Sequence, residues 1–509
     1  MNVLLLSMPD SFEHMPTVVV RMPNGALASL AGNVDPHHRV AIADLVLVQS
    51  SVRVTIERLV RDLTPDVVGL SVMTFQRRTA LAIARLIHLL CPAARIVVGG
   101  YDASLAPEAY ESTPEIDYIV RGEGEHTFNE LLRAIEFAGA AGPGLRDVAG
   151  PDVRQIPGLS YRCGGRFVHN DSRPVIPLAK RDALRLPNRN ARVLGGYTLL
   201  GRPIDVVETS RGCTFDCSFC SIIEMRGRNF HPYPIDRVIA DIADARAHGA
   251  KAIFLVDDNI TLDVERFEEL CRAIIEAGFS DLDYTVQAMT APIAKRGATL
   301  APLMRKAGFR YVFLGIENIL DGDLKFLRAT AKNTAREHGQ SIGNATMQAI
   351  TYLHQNKMNV VGGLIIGNPD DTRESIEANL DFARRYVDWP YIQHPTPYPR
   401  TPMTKDFREQ GLVVIEGVEE YDGTTAVVRT QNVPAEQIEY MRWRADRWMK
   451  VRHMPAAFRN NPGFVLRNGF RMLLHTFRGS TLKTVLKLED EREAFRRYKF
   501  LRAAERQYL

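Results

Sequence analysis

Three cysteines define the chemistry this chain can carry. Cys213, Cys217 and Cys220 fall within the ten residues RGCTFDCSFC, a CxxxCxxC spacing with the aromatic Phe219 just before the last of them. Thiolate sulfur is the soft ligand that iron–sulfur clusters prefer, and three thiolates this close in sequence wrap three corners of a [4Fe-4S] cube, leaving the fourth iron open. The competing reading is a structural zinc ion, which takes four closed ligands, usually from two separated Cys or His pairs. No second pair sits near the triad in sequence, so the spacing favours the cluster.

Cys91, Cys163 and Cys271 are scattered singly, which argues for a reducing compartment and against a disulfide framework. The 509 residues are 45% hydrophobic and 24% charged, an ordinary composition for a chain long enough to build two or three domains. No run of 18 apolar residues occurs, and the opening MNVLLLSMPD has no basic leader, so it reads as a strand and the expected location is cytoplasmic. The formal charge of +4 is unevenly spread: residues 441–509 hold 17 Lys/Arg against 6 Asp/Glu, a local +11, which leaves −7 for the rest.

The elements that must position the triad form two β/α series. In residues 1–140 the apolar runs 2–7, 40–45, 67–73, 94–100 and 116–122 read as strands, and stretches such as 77–90 as helices, the pattern of a parallel, doubly wound sheet. Ligands of such sheets lie beyond the carboxyl ends of the strands. There the sequence places Ser71, Thr74 and Gln76, then Gly99 and Gly100, then Gly122 and Glu123. Residues 141–200 read as a linker, rich in Gly, Pro and Ala at its start, with a hairpin turning at Cys163-Gly164-Gly165 that could clamp two domains together. A second series, 201–405, has strands at 203–209, 251–258, 283–288, 310–317, 359–367 and 391–399, with the triad directly after the first. Polar residues collect at the carboxyl ends, among them Asp257, Asp258, Gln287 and Glu317, where barrel enzymes carry their chemistry. The remaining residues, 406–509, read as a basic helical domain. In 464–478, Leu466, Phe470, Leu473 and Phe477 share one face and Arg467, Arg471 and Arg478 another, a basic amphipathic helix whose apolar side packs on the barrel or meets a membrane.

The triad, with the endings VVGGYDAS and RGEGEHTF ahead of it, resembles the cobalamin-dependent branch of the radical SAM superfamily. The resemblance implies an α/β chain: a Rossmann-like cobalamin-binding domain, a partial (β/α)6 barrel and a helical C-terminal domain. It implies three cofactors, a [4Fe-4S] cluster, S-adenosyl-L-methionine (SAM) and cobalamin. In that family SAM chelates the open iron, which assigns Phe219 to the adenine, the Asp257–Asn259 segment to the SAM amino group and Glu317 to the ribose. The loop after the first strand, SMPDSFEHMP, departs from the DxHxxG that supplies a histidine beneath the cobalt. His14 does not fit that pattern, and His37 and His38 read as surface loop residues. Gln76 or Arg77 is then expected under the cobalt.

The implied activity is methyl transfer to an unactivated carbon, with an electron donor of flavodoxin or ferredoxin type and a small-molecule or lipid substrate. Within the family the layout looks most like the hopanoid C-3 methylases, which would bring the basic tail to the inner membrane face. The alternatives are a cyclase or rearrangement enzyme acting on a tetrapyrrole or natural product, and a B12-responsive binding protein. A nucleic-acid role is disfavoured, since no recognisable RNA module is present.

Overall fold

The computed structural model describes residues 1–13, 16–140, 152–180, 183–337, 340–460, 462–485 and 488–509, and His14 lies outside them. Five parallel strands, in the order Arg39–Asp44, Asn2–Ser7, Val67–Ser71, Arg95–Gly99 and Tyr118–Val120, make the first sheet. They are short, apolar and buried on both faces, as parallel strands covered by helices must be. The helices are read from their periodicity. Val52–Leu63 buries Val52, Thr55, Ile56, Leu59 and Val60, an i, i+3, i+4, i+7, i+8 stripe, and stops where Thr64 turns left-handed ahead of Pro65. Arg77–Leu90 buries Ala80, Ile83, Ala84 and Ile87 in the same way. Truncating the fully buried Ile87 to Ala would cost about 2–5 kcal/mol.

The hairpin Leu159–Cys163 and Arg166–His169 turns at Gly164 and Gly165, both left-handed. It does not clamp the domains. It pairs antiparallel with Tyr118–Val120 and extends the first sheet instead. The segment behind it makes the join, because Ile176, Leu178 and Leu184 enter the core of the second domain.

That second domain is a sheet of six parallel strands, Arg202–Val207, Ala252–Leu255, Asp283–Met289, Phe309–Glu317, Asn359–Ile365 and Trp389–Gln393, each hydrogen-bonded to the next in chain order. Its open edge is continued by Thr198–Leu199 and then by Val20–Arg21, so a piece of the N-terminal segment crosses to the barrel sheet. The helices Ala435–Asn460 and Pro462–Thr476 lie across the inner face of the barrel. Helix Glu491–Glu505 is latched by Arg502 and Arg506 on the fully buried Asp422. No helix among the described residues is long and apolar enough to cross a membrane.

Candidate functional site

A cleft of about 410 Å³ opens where the carboxyl ends of the first sheet face the first barrel strands. Ser71, Gly99, Gly100, Gly122 and Glu123 line it, as does Tyr101 at the start of the short helix that packs on the helix after the triad. Thr74 and Gln76 do not line it. Gln76 is taken up by backbone groups, its Oε1 accepting from the Met73 amide at 3.0 Å and its Nε2 donating to the Asp10 carbonyl at 3.0 Å. Arg77 forks onto the buried Asp102 with two 2.7 Å bonds. Both residues expected beneath the cobalt are therefore structural. The residues that do reach the cleft from that strand end are Ser71, Val72 and Met73, and among the described residues no histidine lines it. His38 is buried rather than a surface residue, whereas His37 is exposed and pairs with Glu136 at 3.0 Å.

The floor of the cleft continues as an apolar channel past Leu5, Gly69, Val97 and Phe128, under the helices Gly25–Asn33 and Gly124–Ala140. At Gly69 a Cβ would stand 2.8 Å from Leu5 Cδ2 and 3.9 Å from Phe128, so a larger side chain there would crowd the channel. Gly100 has φ +96°, and a Cβ there would meet the Val72 carbonyl at 2.8 Å. A polar mouth over a narrow apolar channel fits cobalamin, a large ring with a long nucleotide tail. A glycine inside the strand VVGLS was the sequence signal for this channel.

Glu208 and Arg211 just before the triad and Met225 and Arg226 just after it form the opposite wall, and the three cysteines lie behind that wall rather than on it. Burial pushes the Cys217 thiol up to about 12 and that of Cys220 up to about 11, so free thiols there would be neutral. Coordinated metal deprotonates such thiols outright, and this three-sulfur set fits a cluster. The loop is held by acids from the neighbouring strand end. Asp257 accepts from the Thr209 amide at 2.6 Å and from the Thr209 and Ser210 hydroxyls, which occupies both its oxygens. Asp257 is thus a loop anchor, not the free ligand contact expected of it, and burial raises its carboxyl to about 6. Asp258 takes the Gly212 amide at 2.8 Å, stands 3.6 Å from Arg226 and faces the cleft. Asn259 directs its amide to Cys213 Sγ at 4.0 Å.

Two expected contacts have partners that the sequence reading missed. Glu317, buried at a bulge with φ +57°, receives Lys332 Nζ at 2.6 Å. Burial would lower Lys332, but Glu317 overrides it and holds the ammonium well above its usual range. The same ammonium lies 5.8 Å over the Phe219 ring, beside the third cysteine. Glu123 lines the cleft but belongs to a buried ionic cluster: Arg211 sits 3.5 Å from Glu123, 2.6 Å from Glu125 and 2.8 Å from Glu208, and Arg226 sits 3.9 Å from Glu123. This cluster joins the two domains across the cleft. Gln287 is absent from the cleft and lines a separate cavity inside the barrel.

Fold and site together define a radical SAM protein with a cobalamin-binding domain ahead of its cluster domain. Residues 17–132 match the B12 binding domain model and residues 207–383 the Radical SAM superfamily model. The chain thus joins a B12 binding domain to a Radical SAM superfamily domain, and the cofactors of that pairing are a [4Fe-4S] cluster, SAM and cobalamin. It is 27% identical to an uncharacterized methyltransferase of Pyrococcus horikoshii, over 94% of this chain and 99% of that protein. It is also 27% identical to the anaerobic magnesium-protoporphyrin IX monomethyl ester cyclase of Cereibacter sphaeroides, over 80% of this chain and 62% of that one. Similarity to the hopanoid C-3 methylase of Methylococcus capsulatus is 28%, over 60% and 53%. The radical S-adenosylmethionine methyltransferase TsrM from Kitasatospora setae, solved with cobalamin and a [4Fe-4S] cluster, shares the fold, with a TM-score of 0.63 at 20% identity over 80% of this chain and 75% of that one.

Proposed function

We propose that the protein methylates an unactivated carbon of a membrane lipid, of the polycyclic triterpenoid kind on which a hopanoid C-3 methylase acts. When bound, the cluster and SAM supply hydrogen abstraction, and cobalamin supplies the methyl group. The chain's own residues would hold these groups. Cys213, Cys217 and Cys220 would ligate the cluster, Phe219, Glu317 and Lys332 would contact SAM, and the Arg211 and Arg226 ion pairs tie the two domains together beside the cleft.

The observation that carries the lipid reading is helix Pro462–Thr476. Its outer stripe is unpacked, with Leu466 75%, Phe470 74% and Leu474 59% exposed, while Arg467 and Arg471 flank it and are exposed too. Its inner side, through Phe464, Met472 and Leu473, lines the barrel cavity. The helix thus both packs on the barrel and presents an apolar face outward. Arg478 is no part of that face, being paired with Glu13 and Glu505. Phe477 packs edge-on against Trp448.

Mass spectrometry of lipid and pigment extracts with and without the gene tests the reading. A lipid lighter by one methylene, about 14 mass units, should replace its methylated form when the gene is lost. The tetrapyrrole alternative draws on the cyclase similarity and calls instead for a changed pigment with no such interval.

A further inference from the structure

Between helix Gly25–Asn33 and strand Arg39–Asp44 the chain makes a tight turn over Asp35, Pro36, His37 and His38. Aspartate followed by proline favours such a turn, and the His38 amide closes it by donating to the Asp35 carbonyl at 3.1 Å. The turn is docked on helix Gly124–Ala140. Asn129 accepts from the Asp35 amide at 3.0 Å, and Arg133 forks onto the Asp35 carboxylate at 2.6 and 2.9 Å. Asn129, Arg133 and Glu136 stand at i, i+4 and i+7, so one face of that helix carries all three. Glu136 is thereby set against the two histidines.

His37 Nε2 lies 3.0 Å from Glu136 Oε2 and 3.1 Å from Oε1, and His38 Nε2 lies 4.0 Å from Oε2. The three ligand atoms fall within 4.8 Å of one another, with the two ring centroids 4.0 Å apart. The His38 side chain is fully buried, yet its Nε2 has no hydrogen-bond partner, while its Nδ1 faces the Met1 amino nitrogen at 3.3 Å. A buried polar atom left unpaired is costly, and this one points toward a carboxylate and a second imidazole, where a cation would satisfy it. Asp35 is no ligand, because Arg133 takes both its oxygens.

A tetrahedral zinc ion, with bonds of about 2.0–2.2 Å to nitrogen and oxygen, spaces its ligands about 3.3 Å apart. The His37 to Glu136 separation is already close to that, and the Glu136 carboxylate, 41% exposed, is free to swing toward His38. Two imidazoles, one carboxylate and an open side for water suit zinc, whereas calcium and magnesium take oxygen ligands.

We infer that His37, His38 and Glu136 bind a zinc ion, separate from the cluster and the cobalt, which clips the Asp35 turn to the last turns of helix Gly124–Ala140. None of the three lines the cobalamin cleft. Ligation uses the lone pair of His38 Nε2, so the ring proton sits on Nδ1, beside the Met1 nitrogen. The clip reinforces the packing of helices Gly25–Asn33 and Gly124–Ala140, the pair that covers the apolar channel, and it holds whatever the enzyme methylates.

The test is equilibrium dialysis of the full chain, with cluster and cobalamin loaded, against zinc chloride under anaerobic conditions, with zinc, iron and cobalt counted by plasma mass spectrometry. Saturation at one zinc per chain is expected. Even a partner behind a metal ligand is worth about 10–100-fold in affinity, so His37→Ala and Glu136→Gln, both at exposed side chains, should each weaken binding at least tenfold with iron and cobalt unchanged. X-ray absorption at the zinc edge should show nitrogen and oxygen neighbours at about 2.0–2.2 Å and no sulfur at about 2.3 Å, the distance that cysteine ligands would give. No saturable binding, unchanged affinity in either variant, or sulfur neighbours around the bound zinc overturns the inference.

Discussion

Replacing Arg211 with alanine should loosen the join between the two domains. Glu125 shows why: burial alone would raise its carboxyl, yet the Arg211 guanidinium and the Ser29 hydroxyl hold it down to about 2. Against the ordinary value of 4.5, that difference is worth about 3 kcal/mol at neutral pH. Stranding one member of a buried ion pair costs about 3–5 kcal/mol in general, so two independent routes agree. The sign follows from the depressed carboxyl. The contribution is complete above pH 4.5 and is lost as pH falls toward 2. Urea unfolding of wild type and Arg211→Ala at pH 7 measures the loss directly. Adding Glu125→Gln to Arg211→Ala removes the stranded charge and should restore part of the stability, a coupling that a double-mutant cycle isolates. A loss below about 1 kcal/mol for Arg211→Ala, or a double variant no more stable than the single, would refute the buried-pair argument.

Three further outcomes are expected. Gly69→Val should close the apolar channel and abolish cobalamin retention with iron content unchanged, as absorption and metal analysis will show; full cobalamin loading would mean the tail lies elsewhere. Electron paramagnetic resonance of the cobalt(II) state should lack nitrogen splitting from a protein imidazole, since no histidine among the described residues lines the cleft, and a splitting lost on mutating His14, His37 or His38 would contradict this. The wild type should float with anionic vesicles at low salt but not at high salt, and Arg467→Glu/Arg471→Glu or Leu466→Asp/Phe470→Asp should stay in solution. Each basic residue near such a surface contributes about 1 kcal/mol and each buried large apolar side chain about 1.5–3, so equal flotation of both double variants would remove the membrane reading.

The fold was legible because its elements are local and periodic. Helix Arg77–Leu90 falls on the predicted residues, and all six barrel strands lie within two residues of their apolar runs at the amino end. The triad was legible for the same reason, since its three sulfurs lie within eight residues of one another. What the sequence concealed depends on contacts across long separations. Asp257 and Glu317 were read correctly as strand-end acids. That Thr209 and Ser210 take the first, and that Lys332 takes the second, is settled only when the loops fold against one another. Gln76 looked like a cleft residue because it follows a strand end, but its amide is spent on the Met73 N–H of its own turn and on the distant Asp10 carbonyl. The crossing of Val20–Arg21 to the other domain had no periodic signal at all, being two residues long.

Cluster content and SAM cleavage, measured side by side after anaerobic reconstitution, test the central assignment most directly. The wild type should hold one [4Fe-4S] cluster and convert SAM to 5′-deoxyadenosine under reduction. The Cys213→Ala/Cys217→Ala/Cys220→Ala variant should do neither while still retaining cobalamin, whose cleft is built mostly from the other domain. Undiminished iron and sulfide in that variant, or a wild type that carries a cluster yet leaves SAM intact, would contradict the account.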